Sequence, residues 1–163
     1  MDEIRKILVP IALSEHSKGI FNYAAKLATS LNAELIVATI INSRDVEAVG
    51  SVVSMGYKVD GEHYVEDVKK ERQGILESLI NASSFPAEKV LVIIKVGNPI
   101  DELLKIAVKE NADMIIMGPR GRTDFEHLLV GSVAEKMFRR SPVTIVSYRD
   151  EKHAERLKKR INI

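Results

Sequence analysis

The chain has 163 residues and carries 24 Lys and Arg against 23 Asp and Glu, a formal charge of +1 that excludes a global field drawing it to nucleic acid or an anionic membrane. With 45% apolar and 29% charged residues the composition is that of a globular protein with one core, and disorder or low complexity is excluded. The absence of cysteine removes disulfides, thiolate metal sites and thiol catalysis, and fits a reducing cytosol. A charged start, Met1 to Lys6, and apolar runs far shorter than the ~20 residues of a membrane span give no signal peptide and no transmembrane helix.

In chain order, Ile7 to Pro10 is a short apolar run ending in proline and reads as a buried strand. From Ser14, a candidate N-cap, Ile20, Phe21, Ala24, Ala28 and Leu31 recur at spacings of three and four and predict a helix. Leu35 to Ile41 is the continuous apolar run of a central strand. Asn42 to Gly61 holds three glycines without a clear period and is expected to lack regular structure. Val65, Val68, Ile75, Leu76, Leu79 and Ile80 define a second helical face from Glu62 onward.

Val90 to Ile94 is a third strand. Asn98-Pro99, followed by Asp101 and Glu102, gives a sharp helix start. Asp113 to Met117 is the fourth strand, Ser132 to Arg140 the fourth helix, and Val143 to Tyr148 the fifth strand, with Pro142 at its start where a missing amide is tolerated. Strict alternation of strand and helix predicts an α/β, doubly wound, five-stranded parallel sheet of order 3-2-1-4-5 with helices on both faces. We expect one domain over residues 1–148 and a charged tail or helix over 149–163.

In such sheets ligands bind outside the carboxyl ends of the strands, where the winding reverses. After strand four stand Gly118 and Gly121, then nine residues, then Gly131-Ser132 at a helix start. Glycines admit an anion to backbone amides, a helix N-terminus presents unpaired N–H groups, and Arg120 and Arg122 add positive charge. Taken alone, Ser132 with Glu135 reads as a capping box. His127, within the loop, reads as a solvated side chain, with a contact to phosphate as the alternative.

The spacing resembles the ATP-binding signature of the universal stress protein family. Lys6 to Pro10, Ser14 to Ser17, Gly97 to Pro99 and Asp113 to Gly118 are similar to its other recurring segments, so the resemblance covers residues 1–148. It implies a Rossmann-like fold of the adenine nucleotide alpha hydrolase type and a cofactor, ATP or another adenine nucleotide, with which Mg²⁺ could arrive. The nucleotide's phosphates and ribose would lie on Gly118, Arg120, Gly121, Gly131 and Ser132. Pro10, Ile11 and Ile40 would line the base, and Met117 and Val133 would flank the motif. Ala12 is a departure, because ATP-binding members usually have Asp there.

No P-loop lysine and no phosphoryl-transfer carboxylate motif is present, so catalysis beyond slow ATP hydrolysis is not expected and no catalytic residue is assigned. The four histidines are scattered without ligand spacing, and no metal site of the protein's own is assigned. The resemblance further implies a homodimer through the apolar edge strand Val143 to Val146, with the tail covering that edge as the alternative. The expected role is a cytoplasmic sensing or regulatory module in stress response that acts on an unidentified protein target, without nucleic-acid or membrane partners. The rivals are an interaction protein of the same fold that binds no nucleotide, supported by Ala12, and a slow ATPase.

Overall fold

A computed structural model describes residues 3–58, 61, 63–119 and 131–161. Five strands, β1 (Lys6–Pro10), β2 (Glu34–Asn42), β3 (Val90–Gly97), β4 (Met114–Met117) and β5 (Thr144–Ser147), form one all-parallel sheet of order β3-β2-β1-β4-β5. The fold class read from the alternation of elements is the one observed. β1 lies at the centre, with Ile7, Leu8 and Val9 wholly buried, because helices cover both faces of a crossover-connected sheet.

Side chains alternate between two cores, as the pleat requires. Ile7, Val9, Leu35 and Val37 face α1 (Ser17–Leu31) and α3 (Tyr64–Asn81), joined by Phe21, Ala24, Leu76 and Ile80. Leu8, Ile36 and Ala38 face α4 (Pro99–Lys109) and α5 (Ser132–Arg140), joined by Leu103, Ile106 and Met137. Asp113 lies just before β4, where its carboxylate accepts the amides of Arg5 and Lys6 at 2.8 and 2.9 Å and ties the start of β1 to the start of β4.

Three local expectations are corrected. Residues 43–54 form a helix, α2 (Ser43–Ser54), where no regular structure was expected. The Asn42 side chain caps it by accepting from the Arg44 amide at 3.1 Å, and Gly56, at φ +90°, follows its end in a conformation that favours glycine. Val46, Val49 and Val53 keep helical spacing, but none of α2 is buried, so the apolar stripe is too weak to stand out against the glycines.

Ser14 is not the cap of α1. The helix begins at Ser17 after a turn in which the Ser14 amide donates to Ser17 Oγ at 3.0 Å and the Ser14 hydroxyl accepts from the His16 amide at 3.3 Å. On α3 the stripe facing the sheet is Arg72, Leu76 and Ile80, whereas Ile75 is 44% exposed. Beyond β5, residues 151–158 form α6 (Glu151–Lys158). No helix among the described residues is long and apolar enough to cross a membrane.

Candidate functional site at the strand carboxyl ends

The winding reverses between β1 and β4, so the crevice predicted for a ligand opens between their carboxyl ends. On the β4 side, Met117 is buried and runs into buried Gly118 and Pro119. Pro119 then receives the Gly131 amide at 2.7 Å, so both ends of the glycine motif meet in one backbone hydrogen bond. Arg120 and Gly121, with Arg122 and His127, lie outside the described residues.

Gly131, not Ser132, is the N-cap of α5, and it has no side chain with which to cap. The expected capping box is therefore corrected: exposed Ser132 is the first helical residue, and the Glu135 amide donates to the Gly131 carbonyl at 3.0 Å in the helix's own first turn. A cap without a side-chain acceptor leaves the first-turn amides to water or an anion, with the positive end of the helix dipole behind them. Val133, half-buried, packs on the same core as Met117 and Ile40.

On the β1 side the chain leaves the sheet at Pro10, and the Ile11 amide donates to Ala38 O at 2.8 Å. Ile11 is buried toward α1, Pro10 is half-buried and Ala12 is exposed. Leu13 takes a left-handed φ of 55°, which turns the chain toward α1. The structure thus places Pro10, Ile11, Ile40, Met117, Gly118, Gly131 and Val133 at or near the carboxyl ends of β1, β2 and β4, with Ile11 on the α1 face of the sheet and Ile40, Met117 and Val133 on the α4 and α5 face.

Two features were missed in the sequence. One is Arg72, 9% exposed, whose Nη1 donates to Thr39 Oγ1 at 3.0 Å and to the Ile40 carbonyl at 2.9 Å. Its signal was its place at four residues from both Val68 and Leu76, on a face where only apolar residues were sought. The other is the docking of the tail. The Tyr148 amide donates to Met117 O at 2.9 Å, and the Tyr148 ring packs on Tyr23 at 5.1 Å and against Gly19, where a Cβ would stand 3.2 Å from it.

Asp150 caps α6 by accepting the His153 amide at 2.7 Å, and it holds His16 Nδ1 at 2.9 Å, pinning α6 to the start of α1. Burial pushes the Asp150 carboxyl up, but the His153 amide and the bond and charge of His16 together hold it below its ordinary value. Among the described residues no group of three His, Asp or Glu is placed to hold a metal.

A parallel sheet reversing at β1, with helices on both faces and a helix N-terminus at the reversal, defines a protein of the doubly wound α/β class. Residues 3–149 match the universal stress protein family, and the chain belongs to that family. It is 30% identical over 153 residues to universal stress protein MJ0577 of Methanocaldococcus jannaschii, covering 87% of this chain and 94% of that one. A solved structure of MJ0577 superposes with a TM-score of 0.75 at 26% identity, covering 92% of this chain and 99% of that one. Two further structures share the fold. A universal stress protein in complex with cAMP gives a TM-score of 0.59 at 21% identity over 91% of this chain and 98% of its own. One from Archaeoglobus fulgidus in complex with dAMP gives 0.60 at 17% identity over 91% and 100%.

Proposed function

We propose that this chain is a cytoplasmic, adenine-nucleotide-binding regulatory module of the stress response, acting through binding rather than turnover. The observation that carries this reading is the closure of the glycine motif, Gly131 N to Pro119 O, at the uncapped start of α5 beside the β1/β4 crevice. Phosphates on the first-turn amides of α5 would put the base toward Pro10, Ile11 and Ile40, and ATP is the nucleotide we assign, with Mg²⁺ accompanying its phosphates. The cAMP and dAMP complexes of two relatives with this fold support an adenine nucleotide here. Binding would change a surface read by a protein target.

The test is to denature freshly purified protein and identify released nucleotide by mass spectrometry, beside Gly131→Arg prepared identically. Adenine nucleotide near one per chain, lost in the variant, supports the reading. Nothing released, and no binding of millimolar Mg-ATP, overturns it. A second reading, a scaffold that binds no nucleotide, is favoured by Ala12, which puts a methyl on the exposed loop after β1 where a polar contact is expected.

β5 is an edge strand, and its Ile145 and Val146 are half-buried rather than buried. Pairing of two such edges gives the homodimer we propose. Light scattering after size exclusion tests it, and a clean monomer refutes it.

A further inference from the structure

The universal stress protein match ends at residue 149, and α6 begins at Glu151, so this helix is an addition to the part of the chain that matches the family. It docks against the glycine motif. The Tyr148 amide donates to the Met117 carbonyl at 2.9 Å, one residue before Gly118, and a small pocket is lined by Gly118 and Pro119 together with Tyr148, Asp150 and His153 of the tail. His16 joins that pocket from the residue before α1 and is itself bonded to Asp150 at 2.9 Å.

Gly118 and Pro119 thus meet two elements. At the α5 start the Pro119 carbonyl accepts the Gly131 amide at 2.7 Å, and across the pocket stands the tail. Neither residue anchors itself, since Gly118 has no side chain and Pro119 no amide hydrogen. Both are buried, and what surrounds them fixes their conformation. Ordering a single backbone residue is worth about tenfold in an equilibrium. An element that keeps the pair in place before a ligand arrives removes that cost from binding.

We infer that α6 is a positioning element for the glycine motif, so that docking of the tail and occupancy of the nucleotide site reinforce each other. The inference rests on the nucleotide-binding reading above and adds to it a means of regulation: whatever draws α6 away weakens nucleotide binding. Linkage makes the effect reciprocal, and bound nucleotide holds α6 down by the same factor.

Glu155 is exposed in the middle of α6 and does not line the pocket. Glu155→Pro breaks the helix there, whereas Glu155→Ala keeps it. Calorimetry of the full chain should show Mg-ATP bound about tenfold more weakly by Glu155→Pro and equally well by Glu155→Ala. In the unaltered protein, saturating Mg-ATP should slow amide exchange of residues 151–158 by the same factor. A helix that only adds stability would change the melting temperature, leave the affinity of the folded variants equal and exchange independently of nucleotide.

If Mg-ATP binds the unaltered protein but leaves exchange of α6 unchanged, the inference falls and the nucleotide reading stands. That arm needs no variant, so it decides even where Glu155→Pro does not fold. Equal binding by folded Glu155→Pro overturns the inference as well, and tighter binding would make the tail a competitor of the ligand and overturn it too. If the unaltered protein binds no Mg-ATP, both fall.

Discussion

The two walls of the crevice are built by different means. At the end of β4 the polar groups are backbone: the Gly131 amide donates to the Pro119 carbonyl, and α5 starts without a side-chain cap among the described residues. At the ends of β1 and β2, Ile11 and Ala12 bring no polar side chain, and buried Arg72 of α3 donates to Thr39 Oγ1 and to the Ile40 carbonyl. Backbone donors hold any anion of suitable shape without distinguishing what is attached to it. Phosphate affinity in the proposed nucleotide reading therefore rests on the β4 wall.

Gly131→Arg breaks this division most severely. The backbone angles of Gly131, φ −73° and ψ 156°, suit any residue, so the substitution strains no backbone and acts by filling the crevice. Nucleotide affinity should drop by roughly a hundredfold or more, the loss of about two hydrogen bonds to charged groups, while the melting temperature stays near that of the parent. A variant that melts early but still binds would move the phosphates off the β4 wall.

Ala12→Asp tests the other wall in the opposite sense. A carboxylate after β1 restores the polar contact that the family resemblance implies, and one charge-assisted hydrogen bond is worth ~1.5–3 kcal/mol. An affinity gain of about tenfold or more by titration calorimetry is expected. An unchanged affinity would leave the β1 end with no part in holding the ligand.

The same contrast governed what could be read from sequence. The order of the sheet followed from alternating apolar runs, because strands buried on both faces cannot hide their pattern. The glycine wall was legible because backbone sites require particular residues at particular spacings. Arg72 was not, since periodicity locates a core face by its apolar members and a cation at the same register reads as surface. α2 escaped for the converse reason: a helix with no buried residue has no core stripe to betray it. The docking of the tail rests on Tyr148, Asp150 and His16, three residues brought together from opposite ends of the chain, and no local pattern announces such a contact.

That docking offers the mildest test, because Tyr148 is bonded to the β4 wall while Asp150 is pinned to α1 on the β1 side, so the segment that leads into α6 bridges the two. The folded protein holds the Asp150 carboxyl below its ordinary value of 3.8. A depressed acid contributes its stability above the unfolded value and loses it as pH falls through the folded one, so the bridge should persist at neutral pH and open only in the region below ~4. Amide exchange of residues 150–158 should rise there before the core strands open, since a terminal helix without a buried residue opens locally. Asp150→Asn keeps an acceptor for the His153 amide but loses the charge facing His16, and it should flatten that pH dependence while leaving exchange of β1 and β4 unchanged. If α6 in Asp150→Asn still loosens on acidification as in the parent, the carboxylate is not the latch, and the tail is held by the Tyr148 contacts alone.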